Sequence, residues 1–417
     1  MTVFKLLEES KKAFHDMDWK RLAEINKKIV AKKPEEKIEN LANGFYYYAL
    51  AKLEKEQEKV ILDLDKAASF FKSIDAQLAS MADIEKLILL SEFDEKGRGR
   101  HLLDLAELTQ GLFIKTGDHT YLQLAIDSFN NAKPSFSGKE LEQIILSLQF
   151  CCGTQAPHSE NPGEQYRGVI RLCGELKAGG SATRARSKMN AAIAHHNLAF
   201  LSKDRMENIK LAVKLSEEAI EAFEQLDSKP ETVKAKQSLA NVLRDASDID
   251  TANAKEHLKR AITLKKEVAE LLLEDGFSID SGYEDLDIGT ACMELAVSDS
   301  THSNEHFDSA IIHFNAAAET FGKAKYEEGL GHAKAGIAAV YRNRGAFEDA
   351  AKAYEEAIAL FKQPVLLGRT KQNLALTYKD MAKTTGKKAH LKKAEKLEKE
   401  AAELLVIYNN KHEPTCE

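Results

Sequence analysis

The sequence predicts an all-α protein, an α-α superhelix or solenoid of about nine stacked antiparallel helix pairs. Three observations predict it. The first is a recurring spacing. Ala67, Phe71 and Ile74 stand at i, i+4, i+7. So do Ala125, Phe129, Ala132; Ala212, Ser216, Ala219; Ala254, Leu258, Ala261; Ala310, Phe314, Ala317; Ala350, Tyr354, Ala357; and Ala394, Glu398, Ala401. This spacing puts three side chains on one helical face, and each set follows another helical segment. The second is that the 417 residues hold only 7 prolines, and the predicted turns use Gly, Asp and Ser instead. The third is length: one core does not serve a chain this long, whereas stacked pairs each cover the next pair's apolar face.

The elements follow in order. Val3 to Pro34 reads as a first pair, with Asp18 capping a helix that starts at Trp19. Leu22, Asn26 and Ile29 stand at its triplet positions. A helix from Glu35 to about Lys55 carries Tyr46, Tyr47 and Tyr48, and its partner runs from about Lys59 to Ala79. Ile84, Leu87, Ile88 and Leu90 predict a short buried helix, which GRGR at Gly97–Arg100 breaks. A helix with Leu102, Leu105, Leu108 and Leu112 comes next, then one capped by Asp118. Residues 1–132 form N-terminal repeats on this reading. Residues 133–181 form either a divergent pair, with Gly168, Leu172 and Glu175 at the triplet positions, or a boundary between two halves. There Leu141–Cys152 and Glu164–Lys177 read as helices that flank a loop at Gly153, and AGGS ends the second. Residues 182–408 form five C-terminal pairs: 182–202 with 205–227, 231–246 with 251–274, 284–298 with 304–322, 325–344 with 347–363, and 366–383 with 388–408. Residues 409–417 form a polar tail.

Composition narrows the function. Hydrophobic content of 43% with 30% charged residues fits a folded, well-solvated chain. A net charge of -7 argues against general nucleic-acid binding, which needs a basic face. The five cysteines, Cys151, Cys152, Cys173, Cys292 and Cys416, form no disulfide framework. The amphipathic start MTVFKLLEESKKAF has no signal-peptide run, and no stretch is apolar enough to span a membrane. A reducing cytoplasm is the expected compartment, with no membrane contact.

The stretch Gly331–Lys362 combines these signals. Ala338 and Tyr341 lie on its first helix, Gly345 ends that helix, and Ala350, Tyr354 and Ala357 lie on the second. This pattern resembles the tetratricopeptide repeat (TPR) family. The triplets mostly recur every 40 to 58 residues, so the repeats are lengthened and resemble those of kinesin-light-chain-like TPR proteins. The resemblance implies a right-handed superhelix whose first helices line a concave groove that binds a protein or peptide.

Three strings invite a catalytic or metal reading. His302, Glu305 and His306 form H-x-x-E-H, a zinc-peptidase pattern that here lacks a third ligand. Cys151, Cys152, His158 and Cys173 match no zinc spacing. His195 and His196 are adjacent on one helix, so one is expected to pack and the other to face solvent. No cofactor or metal is expected. GRGRH at Gly97 reads as a turn rather than a phosphate cradle.

The TPR resemblance points to a better site. Relative to Tyr341, the residues nine and six before, two before and one after face the groove: His332, Ala335, Ala339 and Arg342. The matching sets are Lys234, Gln237, Asn241 and Arg244 around Leu243; Tyr283, Leu286, Thr290 and Met293 around Cys292; and Arg369, Gln372, Leu376 and Lys379 around Tyr378. No acidic residue occurs among them. Asn241 matches an asparagine with which some TPR cochaperones grip a terminal carboxylate, but Gln237 stands where they carry lysine. The expected function is a non-enzymatic scaffold or adaptor whose partner segment is acidic with large apolar anchors. A helical-repeat enzyme or sensor, such as a TPR-containing phosphatase or hydrolase, is the alternative, and the sequence leaves homo-oligomers open.

Overall fold

The computed structural model describes residues 2–176 and 180–412, with side chains as far as residue 405. Among the described residues there are nineteen α-helices and no β-strand. The chain divides into two compact units, Met1–Ala194 and His195–Glu417. In the first unit the order is α1 (Val3–His15), α2 (Trp19–Val30), α3 (Glu36–Leu53), α4 (Gln57–Lys72), α5 (Ala76–Phe93), α6 (Arg98–Thr116), α7 (His119–Ala132), α8 (Gly138–Gln155) and α9 (Pro162–Glu175). Helix α10 (Ser181–Leu201) runs through the division. The second unit continues with α11 (Arg205–Gln225), α12 (Lys229–Ile249), α13 (Ala254–Glu274), α14 (Ser278–Ser298), α15 (Ser303–Lys323), α16 (Glu327–Asn343), α17 (Phe347–Leu360), α18 (Pro364–Thr385) and α19 (Lys388–His412). From α1 to α9 and from α11 to α19, neighbouring helices in sequence pack side by side.

In the first unit the caps fall where their chemistry puts them. Asp18 accepts from the Arg21 N–H at 3.1 Å and Asp118 from the Thr120 N–H at 2.9 Å. Leu22, Asn26 and Ile29 are all fully buried. Asn26 fits there because Ser10 and the Leu22 carbonyl satisfy its amide.

The prediction slips at α4 and α5. Asp75 accepts from the Gln77 and Leu78 N–H groups and so starts α5 at Ala76. Helix α4 therefore stops at Lys72, and Ile74 sits in the turn rather than on the triplet face. Ile84, Leu87, Ile88 and Leu90 belong to this longer α5 and are half-buried, because α5 is sandwiched between α4 and α6. The break precedes GRGR: Asp94 accepts from the Gly97 N–H, and α6 already begins at Arg98. Nineteen helices leave one outside a scheme of nine pairs, and α5 is the one the sequence did not pair.

Helices α8 and α9 form a pair, but the buried face of α9 is Tyr166, Val169 and Leu172. Gly168 is half-buried and Glu175 is exposed, so the expected triplet there was out of register. The predicted end at Lys177 and the start of AGGS lie outside the described residues.

The second unit carries the clearest packing. Ala310, Phe314, Ala317 and Ala350, Tyr354, Ala357 are buried as the spacing requires. Phe314 is held between Gly289 on α14 and Gly336 on α16, and Phe321 between Gly282 and Gly329. A β-carbon at any of these four glycines would stand within 3 Å of a ring carbon. Helix α16 ends in a six-residue turn. Gly345 has φ 77°, and the Ala346 N–H donates to the Tyr341 carbonyl at 2.9 Å. Helix α14 starts six residues earlier than expected, and α19 continues through His412 into the predicted polar tail. Helix α14 touches α16 and α16 touches α18, so first helices line one side of this unit.

Candidate functional site

On α12, Lys234 and Asn241 are exposed, while Gln237 and Arg244 are half-buried on the same face. The Gln237 amide donates to Glu284 on α14 at 2.7 Å. Glu284 is itself buried and takes the Lys265 ammonium at 3.0 Å, and Lys265 also reaches Asp287 at 2.6 Å. Gln237 therefore joins a buried charged network and is unavailable as a stand-in for a clamp lysine.

On α14, Tyr283 is 38% exposed, and its hydroxyl lies 2.7 Å from that of Tyr326. Leu286 and Met293 are half-buried against the cluster around Phe314. They line the face less openly than expected because the glycine contacts draw α14 and α16 together. On α16, His332 packs edge-on against Phe361, ring centroids 5.1 Å apart, and burial lowers its pKa. On α18, Arg369, Gln372 and Leu376 are exposed, and Lys379 pairs with Glu398 of α19.

Carboxylates that the reading of the sequence passed over complete the face. Arg342 donates to Asp380 through Nε at 3.0 Å and Nη2 at 2.8 Å. Burial pushes the Asp380 carboxyl up, but the hydrogen bonds from Arg342 and Lys383 carry it below the usual range. His196 Nε2 lies 2.9 Å from Asp245, whose other carboxylate oxygen lies 3.8 Å from Arg244 Nε. Arg342, one past Tyr341, thus meets the acid two past Tyr378 on the next first helix. Asp245, Glu294 and Asp380 all stand two past Leu243, Cys292 and Tyr378. The sampled positions thus showed no acid because the acids occupy the next one. Their recurrence at one offset was the signal that could have found them.

The strings with catalytic appearance are built into packing. His302 and His306 both lie on Asp299, at 3.3 and 3.4 Å, and Lys255 adds an ion pair at 2.8 Å. Asp299 closes α14 as its C-cap. The same seven-residue step from aspartate to histidine recurs at Asp94–His101 (2.9 Å) and Asp250–His257 (3.2 Å). It is a turn clamp, and H-x-x-E-H is one copy of it.

Cys151 and Cys152 are buried on α8, and burial pushes their thiols up to about 12 and about 11. His158 instead lies tilted against His119 with ring centroids 4.0 Å apart. His195 and His196 are both half-buried and both partnered, His195 with Asn208 at 2.8 Å, so neither is simply solvated. Among the described residues no group of three or more His, Cys, Asp or Glu side chains is arranged to hold a metal. None of their helices is long and apolar enough to cross a membrane.

No family model matches the chain, and no curated protein matches its sequence. Solved structures do. A signal transduction ATPase with numerous domains from Pyrococcus horikoshii, which carries a tetratricopeptide repeat sensor, is similar at 11% identity and TM-score 0.51. That match takes in 94% of this chain and 53% of that one, so the chain spans about half its length. A Rap protein complexed with Competence and Sporulation Factor is similar at 12% identity and TM-score 0.41, over 98% of this chain and 99% of that one. BtubC (BKLC) from P. vanneervenii is similar at 16% identity and TM-score 0.40, over 64% of this chain and 95% of that one. With its own helix pairs and buried small–aromatic–small triplets, the chain has the fold of the TPR-like helical-repeat proteins.

Proposed function

We propose that this chain is a non-enzymatic scaffold or adaptor that binds a protein or peptide segment along the first-helix face of its second unit. One observation carries the reading. Lys234, Asn241, Tyr283, Arg369, Gln372 and Leu376 are exposed along the first helices, and 41% of Leu376 faces solvent without a core to fill. Exposed polar groups interleaved with exposed apolar ones suit recognition better than solvation alone. The histidines and cysteines that suggested catalysis are engaged in turns and cores, which supports the non-enzymatic reading. The buried free thiols Cys151, Cys152 and Cys292 suit a reducing cytoplasm.

The finer reading is a partner segment with carboxylates over Arg369 and apolar anchors near Tyr283 and Leu376. Affinity capture with mass spectrometry tests it. A partner held by the native chain should be released by Arg369→Glu combined with Leu376→Ser. A partner held equally by that variant would move the interaction off this face. Turnover of a generic phosphoester or peptide by the purified chain would favour the enzyme reading instead.

A further inference from the structure

The first-helix face of the second unit is split in charge. At the α12–α14 end stand Asp245, Asp248, Asp287 and Glu294; Arg244 lies among them, His196 holds Asp245, and Lys234 stands ten residues earlier on the same face of α12. Lys265 is buried beneath and already shared between Glu284 and Asp287. The Glu294 Oε2 atom is shut off from solvent and has no hydrogen-bond partner. Burial, with Asp248, Asp245 and Asp287 close by, raises its pKa despite Arg244. At the α18 end stand Arg369, Lys379 and Lys383, with Arg342 reaching in from α16. Asp380 and Glu398 offset them in part. Between the two ends, α16 presents the half-buried Ala335 and Ala339, which carry no charge and little bulk.

We propose that this face takes one partner segment of opposite charge polarity, its cationic group over Asp245, Asp248 and Glu294 and its carboxylates over Arg369 and Lys383. The inference rests on the scaffold reading above and adds direction to it. The charge complementarity is two-sided, so a segment laid the other way meets like charge at both ends. Helices α14 and α18 are two helix spacings apart, about 20 Å at 8–10 Å per spacing. An extended chain covers that in about six residues. The small residues of α16 leave room for the backbone of such a segment to cross.

The test is selection of random dodecapeptides displayed on phage against the full chain. The winners are then synthesised and titrated by fluorescence anisotropy. The expected winners carry Lys or Arg about six residues from Asp or Glu. Glu294→Gln with Asp245→Asn should weaken them about five- to ten-fold, and replacing the peptide's cation by alanine should abolish that effect. Arg369→Glu with Lys383→Glu should do the same for the acidic end. Both pairs of substitutions are conservative or exposed, and far-ultraviolet circular dichroism checks their folding. Winners that are acidic throughout and indifferent to Glu294→Gln would overturn the polarity and leave the scaffold reading standing. Winners indifferent to both double variants, or no enrichment at all, would overturn both.

Discussion

Gly336→Ala is the sharpest test of how the second unit is packed. An added β-carbon would stand 2.5 Å from Phe314 Cε1 and 2.7 Å from Cδ1 and Cζ. Phe314 is 2% exposed and cannot swing into solvent. It has little room to retreat, because Gly289 crowds the same three ring carbons, which lie 2.7–2.9 Å from where its own β-carbon would be. Two effects compete. Replacing a mid-helix glycine by alanine stabilises by roughly 0.5–1 kcal/mol through backbone entropy. Overpacking a close contact costs about 1–3 kcal/mol. The geometry favours the second, so a net loss on the order of 1 kcal/mol is expected. Gly111→Ala on α6 is the control, since nothing lies within 4 Å of its added β-carbon. It should raise stability. Urea titration followed by circular dichroism measures both, with hydrogen exchange on α14–α16 to localise the loss, because repeat arrays need not unfold in one step. Phe314→Leu should relieve much of the Gly336→Ala penalty in the double variant. A Gly336→Ala chain as stable as Gly111→Ala, or strictly additive behaviour with Phe314→Leu, would refute the clamped-ring account.

Other outcomes follow from particular residues. Ala350 is fully buried, so Ala350→Leu should cost about 1–3 kcal/mol by overpacking, and an unshifted thermal melt would contradict the packing register. Lys325 sits at φ 55° in a helix-ending turn, so Lys325→Gly should stabilise by about 1 kcal/mol, read as a higher urea midpoint. The hydrogen bond from Lys255, then that from His306, hold the Asp299 carboxyl well below the usual range against its desolvation. Its contribution is therefore fully present above the ordinary carboxylate pKa of about 4 and lost as pH falls through the depressed folded value. Asp299→Asn should flatten that acid limb of the stability profile. His302 and His306 are engaged by Asp299, so elemental analysis should find no stoichiometric zinc and chelator should leave the melt unchanged.

The fold was legible where one rule governed many residues. The small–aromatic–small triplet is dictated by helix spacing, and alanine and glycine mark close approach, so Ala310–Phe314–Ala317 could be read directly. It failed where a local hydrogen bond outranked the periodicity. Asp75 starts a helix that the apolar pattern alone would have run past, and nothing in that pattern signals the cap until Gln77 and Leu78 are seen to need it. The first-helix face proposed as the site was legible as a set of helix positions but not as a charge distribution. Arg342 and Arg244 were placed on the first helices correctly. Asp380, which takes Arg342, lies on the next first helix, 38 positions further along the sequence, and only stacking brings the two together.

Packing in the second unit, and the recognition proposed for it, rest on the same few glycines. Gly289 and Gly336 admit Phe314 between α14 and α16, and Gly282 and Gly329 admit Phe321 between the same two helices. The separation of α14 from α16 is thereby set by ring thickness rather than by side chains on the exposed face. This frees α16 to present Ala335 and Ala339 there, because no bulky residue is needed to space the helices. It also fixes the distance between the carboxylates around Glu294 and the cations on α18, which face each other across α16. A substitution that widens the α14–α16 gap should therefore weaken a segment that bridges the two charge centres, even though Phe314 and Gly336 touch neither. Binding of a bipolar peptide should fall with Gly336→Ala, while binding of a peptide reduced to its acidic half should not. A loss shared equally by both peptides would show general unfolding instead of altered spacing.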